Sequence, residues 1–203
     1  MNKKVILVGP SKSLLISKLG KIIDSYDIVC RMNNSGRPEL LNGDYKEIIG
    51  NKKDIWFCKN FGLFNIFPNP GYDKLVGFVQ GNAAYPMTPE VISKFSHVVQ
   101  QASKKGAKTL NACIKTLKEF NNNTSRPSCG ILSIFYLLEK YDKIHICGMD
   151  GFKGGHWYGN KFISSQDKSD ILAAKGSGAH NVILEQEYIN YLIQKDKIIK
   201  IDE

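Results

Sequence analysis

Lys3-Lys4-Val5-Ile6-Leu7-Val8-Gly9-Pro10-Ser11 passes from charge through four apolar residues into a turn of small residues. A short, unbroken apolar run closed by Gly-Pro reads as a strand buried on both faces. A helical pattern follows from Lys12 to Ile23. Strand, tight turn and helix in that order open a doubly wound α/β domain. The same run is too short for the apolar core of a signal peptide, so it reads as the first strand.

Working outward, Tyr26 to Met32 is a second apolar run, and Asn33-Asn34-Ser35-Gly36 is a turn. Asp54 to Cys58 and Lys74 to Val79 give a third and a fourth run. Thr88-Pro89-Glu90 starts a helix reaching Ser103, with Thr as cap and Pro in the first turn. After the polar segment Asn121 to Ser125, Ile131, Ile134, Phe135, Leu137 and Leu138 recur at helical spacing. Lys143 to Gly148 is then a strand, Gly151 to Gly178 a glycine-rich aromatic loop, Ala179 to Lys195 an amphipathic helix, and Lys197 to Ile201 a last strand. With no internal repeat and no linker, residues 1–203 are expected to form one Rossmann-like α/β domain. Its central, mostly parallel sheet should carry helices on both faces.

Composition narrows the class. Apolar residues make up 42% and charged residues 23%, the balance of a globular protein. No run approaches ~18 consecutive apolar residues, so no membrane span is expected. The net charge of +9 is spread in ones and twos, without the basic block of a nucleic-acid-binding arm. Such a surface suits solubility, phosphate-bearing substrates or peripheral contact with an anionic membrane. Five cysteines, an odd set without Cys-x-x-Cys spacing, indicate neither zinc nor a disulfide framework and fit a reducing cytoplasm.

Three places join a strand end, a small-residue turn and a helix start: Gly9-Pro10-Ser11, Asn33-Asn34-Ser35 and Ser128-Cys129-Gly130. In open parallel sheets, ligands bind beyond the carboxyl ends of the strands, and free N–H groups at a helix start attract anions. Ser128 to Gly130 therefore reads either as a phosphate cradle or as a plain helix cap. The dinucleotide and P-loop fingerprints are missing, and no Asp-x-Asp pair occurs to hold a divalent ion on a diphosphate. Of four histidines, His97 and His145 fall inside regular elements and read as structural, while His156 and His180 lie outside them or at their edge. Glu185, near the next helical turn after His180, is placed to support that imidazole.

Together these segments resemble the sialyltransferases of the animal type. The large motif of that family is similar to Val8-Gly9-Pro10-Ser11 through Asp24-Ser25-Tyr26-Asp27-Ile28-Val29-Cys30-Arg31-Met32-Asn33. The small motif resembles Pro127-Ser128-Cys129-Gly130 followed by an apolar helix and a strand ending at Gly148. The third resembles His156-Trp157-Tyr158, and the very small motif runs from His180 to Glu185. Their order spans almost the whole chain. Pro10 stands where the family has asparagine, and the family's cysteine pair is not reproduced, which marks a short microbial or viral relative.

The resemblance implies a GT-A-like glycosyltransferase domain with an inverting, metal-independent reaction. Sialic acid or Kdo would pass from a CMP-sugar to a hydroxyl on a glycan, glycolipid or polysaccharide, without a cofactor. It makes His180 the base and His156 the partner of the departing phosphate, with Glu185 in support. Gly9, Ser11, Asn33, Ser128, Cys129, Gly130, Gly148 and Tyr158 would line the CMP-sugar. The expected setting is the cytoplasm, with contact to the inner face of a membrane. The rival readings are a non-catalytic CMP-binding protein of this fold and a nucleotide-dependent phosphotransferase or hydrolase.

Overall fold

The structure is a computed structural model describing residues 3–43, 45–58, 71–77, 108–109, 111–120, 127–151 and 181–201. Six strands form one sheet: β1 (Val5–Val8), β2 (Ile28–Met32), β3 (Ile55–Cys58), β4 (Lys74–Gly77), β5 (Ile144–Cys147) and β6 (Ile198–Lys200). Their spatial order is β4-β3-β2-β1-β5-β6, and every pair is parallel. The chain winds outward from β1 to β4, then returns to place β5 on the other side of β1. The direction of winding therefore reverses between β1 and β5, the point at which sheets of this kind form a ligand crevice at the carboxyl ends of the strands.

Alternation along the strands splits the core in two. Val5, Leu7, Cys30, Met32, Ile55 and Phe57 face the helices Cys129–Leu138 and Val182–Gln194 and the helical residues 111–120. Ile6, Val8, Val29 and Cys147 face the other layer, where Leu14, Leu19, Ile23, Leu41 and Ile49 pack. That layer comprises α1 (Ser13–Ser17), α2 (Gly20–Asp24), α3 (Pro38–Leu41) and α4 (Lys46–Ile49). The continuous helix expected over Lys12 to Ile23 is thus two helices. Lys18 adopts a left-handed φ of 47° as the cap of α1. Gly20 lies so close to the backbone of Lys46 and Glu47 that a Cβ would collide with their carbonyls. Close packing of α2 on α4 breaks the helix. Among the described residues no helix is long and apolar enough to cross a membrane.

The Asp24–Asn33 segment is held by its own acidic and basic side chains. Asp24 accepts hydrogen bonds from the Asn51 and Lys52 N–H groups, with Oδ1 at 3.0 and 2.8 Å. Asp27 accepts from the Lys4 N–H at 2.7 Å. Arg31, fully buried on β2, donates to the Ile49 carbonyl at 2.8 Å and to the Lys52 carbonyl at 2.9 and 3.2 Å. Burial pushes its guanidinium below the ordinary arginine range, but five donors in a rigid fork suit backbone carbonyls well. These contacts fasten the loop between α4 and β3 under the sheet.

Arg31→Ala should cost about 3–5 kcal/mol, since it opens a cavity and strands one buried and one half-buried carbonyl. Arg31→Lys should cost less but still destabilise, because a single ammonium lacks the fork. Urea unfolding of the three proteins measures both.

Candidate active site

Two strand-end turns meet at the reversal point. The Gly9 N–H donates to the Cys147 carbonyl at 2.8 Å, and the Ser11 N–H to the Gly148 carbonyl at 3.0 Å. A Cβ on Gly9 would strike the Gly148 carbonyl, and Gly148 itself has a φ of +62° with Leu14 against it. Both positions need glycine, for close approach at one and a left-handed backbone at the other. The buried Ser11 hydroxyl donates to Asp150 Oδ2 at 2.5 Å and accepts from the Ser13 N–H at 3.1 Å. Ser11 therefore bridges the end of β1, the start of α1 and the end of β5.

Asn33 closes β2 with a left-handed φ of 45°, a conformation asparagine tolerates better than most residues. Its carbonyl accepts from the indole Nε1 of buried Trp56 at 2.8 Å. Trp56 stacks on Tyr72, whose hydroxyl donates to the Gly36 carbonyl at 2.6 Å. Two aromatic side chains thus fix the Asn33–Gly36 turn.

Ser128 caps the Cys129–Leu138 helix, its hydroxyl accepting from the Ile131 N–H at 3.3 Å. Its own N–H and O–H both donate to Glu185, at 2.6 and 2.5 Å. Glu185 is buried in the first turn of the helix that Asn181 caps through Leu184. A Cβ on Gly130 would lie 2.8 Å from Met149 Cε and 3.8 Å from Met32 Sδ. The helix start therefore sits against the ends of both β2 and β5. Segments from residues 9–11, 32–33, 128–130, 148–150 and 185 form one connected cluster at the crevice.

The model of glycosyltransferase family 29 (sialyltransferase) matches residues 2–197. The chain belongs to the sialyltransferase family. As a family member it is a glycosyltransferase. A crystal structure of a mammalian sialyltransferase superposes on 99% of this chain and 69% of its own, with a TM-score of 0.60 at 17% identity. The sialyltransferase CstII from Campylobacter jejuni, in complex with the substrate analogue CMP-3FNeuAc, covers 98% of this chain and 81% of its own, with a TM-score of 0.55 at 17% identity. CstII in complex with cytidine-5'-monophosphate gives 0.55 at 18% identity, covering 98% and 79%. No curated protein matches the chain. At these identities the solved structures establish a shared fold.

Within this sialyltransferase fold, Gly9, Ser11, Asn33, Ser128, Cys129, Gly130, Gly148 and Glu185 all fall at the crevice end of their elements. His156, Tyr158 and His180, like His97, lie outside the described residues. His145 is at the start of β5, away from the crevice, with Nδ1 2.8 Å from the Tyr26 hydroxyl. Burial, then Lys4 and Lys143, hold its imidazole below the ordinary range, in keeping with a structural role. Two features escaped the sequence reading. Asp150 faces Ser11, and its place just past a strand-end glycine was the available signal. Glu185, read as support for His180, places its carboxylate on Ser128, which lies 57 positions away and shares no local pattern with it.

Glu185→Ala should cost about 2–4 kcal/mol by leaving two buried donors unpaired. Ser128→Ala also removes a helix cap, worth about 1 kcal/mol. Because the two residues share these bonds, the double variant should lose at least ~1 kcal/mol less than the sum, as a double-mutant cycle in urea can read.

Proposed function

We propose that this chain transfers sialic acid, or Kdo, from a CMP-sugar to an acceptor hydroxyl on a glycan, glycolipid or polysaccharide. The observation that carries the reading is the gathering of the large and small motifs, with Glu185 from the end of the very small motif, at the reversal point between β1 and β5. Ligands of open parallel sheets bind at such a point. CstII, of the same fold, has been solved with CMP and with a CMP-sugar analogue.

In this reading Gly9, Ser11, Asn33 and Gly148 border the nucleotide, with Asn33 presented by the turn that Trp56 and Tyr72 hold. Cys129 and Gly130, in the first turn of their helix, lie nearest the phosphate, where the partial positive charge of a helix start favours an anion. The reaction is a single displacement with inversion. The acceptor oxygen bonds to the anomeric carbon as the bond from that carbon to the phosphate oxygen breaks. His180 takes the hydroxyl proton, and CMP leaves with the bonding pair. His156, assisted by Tyr158, meets the charge developing on the phosphate. A monophosphate leaving group needs no divalent ion, and the sequence has no Asp-x-Asp pair to hold one. The cytoplasmic setting belongs to the same proposal; all five cysteines are buried and none is in a disulfide.

Incubation with CMP-sialic acid and CMP-Kdo, following CMP release and labelled acceptor, tests the reaction. Transfer should persist in excess EDTA; activity lost to chelator and restored by manganese would refute the metal-independent route. His180→Ala should lower turnover by ~10²–10⁴-fold with CMP affinity nearly unchanged, since the imidazole acts on the acceptor. His156→Ala should lower turnover and weaken CMP binding together, as calorimetry can show.

A further inference from the structure

The layer of α1 and α2 turns Leu14, Leu19 and Ile23 inward, yet leaves Ile16 86% and Ile22 51% exposed. The packing of this layer therefore does not account for either isoleucine. Lys12, Lys18 and Lys21, with Lys46 on the adjoining α4, are exposed on the same layer. None of these four lysines forms an ion pair among the described residues. Residues 12–23 include no acidic side chain. Asp24 spends its carboxylate on the Asn51 and Lys52 N–H groups, which leaves Glu47 as the exposed acid of α4. The layer also begins beside the crevice, because α1 starts two residues past Ser11 and donates the Ser13 N–H to its hydroxyl.

We propose that the outer face of α1 and α2 docks on an anionic lipid surface. Ile16 and Ile22 enter the boundary between headgroups and acyl chains, while Lys12, Lys18, Lys21 and Lys46 meet the anionic headgroups. A second copy of the chain is a poorer occupant. A two-fold contact through this face would bring each set of unpaired lysines toward its own duplicate. A nucleic acid is poorer too, since isoleucines offer bases no stacking surface. Docking here would hold the crevice near an acceptor carried by the membrane, but lipid binding itself does not depend on the transfer reaction.

The test is co-sedimentation of the full chain with vesicles of phosphatidylcholine alone and of phosphatidylcholine mixed with phosphatidylserine. The mixed vesicles should retain the protein and the neutral ones should not, with binding weakening as salt shortens the Debye length. Each lysine near the surface is worth roughly fivefold in partitioning, so Lys12→Gln with Lys21→Gln should lower binding by more than ~10-fold. Ile16→Ser with Ile22→Ser should lower it as well. Circular dichroism checks that both variants fold, and CMP release with a soluble acceptor reads the transfer activity separately. Equal binding to neutral vesicles, no binding to either, or retention unchanged in both variants would overturn the proposal. So would a dimer, seen by sedimentation, that Ile16→Ser with Ile22→Ser dissociates, because a second copy would then cover the face.

Discussion

The hydrogen bond from the Gly9 N–H to the Cys147 carbonyl, 2.8 Å long, exists because the turns after β1 and β5 can touch backbone to backbone. A side chain on Gly9 would occupy the place of the Gly148 carbonyl, and one on Gly148 would be driven into Leu14. That contact joins the central strand, where the outward winding begins, to the first strand of the return. With it in place, Ser11 reaches Asp150, and Met149 turns to cover Gly130. Motif segments far apart in sequence then share one crevice. The reversal of winding sets the place of the crevice, and two glycines let the turns on either side of it approach.

Two buried charges fasten the walls. Arg31 donates to backbone carbonyls between α4 and β3, and Glu185 accepts a backbone N–H and a hydroxyl at Ser128. Both ions exchange water for oriented backbone or hydroxyl dipoles, which lessens the desolvation penalty of burial. The consequence is positional. Arg31 anchors β2 just before Met32 and Asn33, and Glu185 anchors the start of the Cys129–Leu138 helix. Residues that could be read as ligand contacts in the large and very small motifs thus also hold the crevice in shape.

The sheet was legible because its strands are short apolar runs, closed by Gly9, Asn33 and Gly148 in β1, β2 and β5, and parallel burial erases alternation in favour of such runs. The Cys129–Leu138 helix was legible from its spacing and from Ser128 as cap. The break at Lys18 was not, because its cause, the approach of Gly20 to Lys46 and Glu47, lies in another element. α3 and α4 were missed because four residues hold barely one helical turn and no periodicity. The resemblance collected the site segments from their order, yet it could not assign partners. Asp24 with Lys52 and Ser128 with Glu185 are pairings set by strand order and helix packing, which no local window contains.

The Ser128–Glu185 pair also shifts weight within the proposed mechanism. A helix start offers an anion its first-turn N–H groups, but here the Ser128 N–H is committed to Glu185 and the Ile131 N–H to the Ser128 hydroxyl. The Leu132 N–H is taken by the Ser128 carbonyl. Gly130, in the same first turn, offers a backbone bare of side chain. A carboxylate beside Ser128 also offsets part of the positive potential of the helix end. A phosphate held there would draw on few backbone donors, so more of the charge that develops as the sugar–phosphate bond breaks must be met by a cation brought from elsewhere. In the proposed reaction that cation is His156. In that proposal the carboxylate beside Ser128 shifts the main electrostatic part to the histidine of the third motif, and the helix start chiefly orients the phosphate.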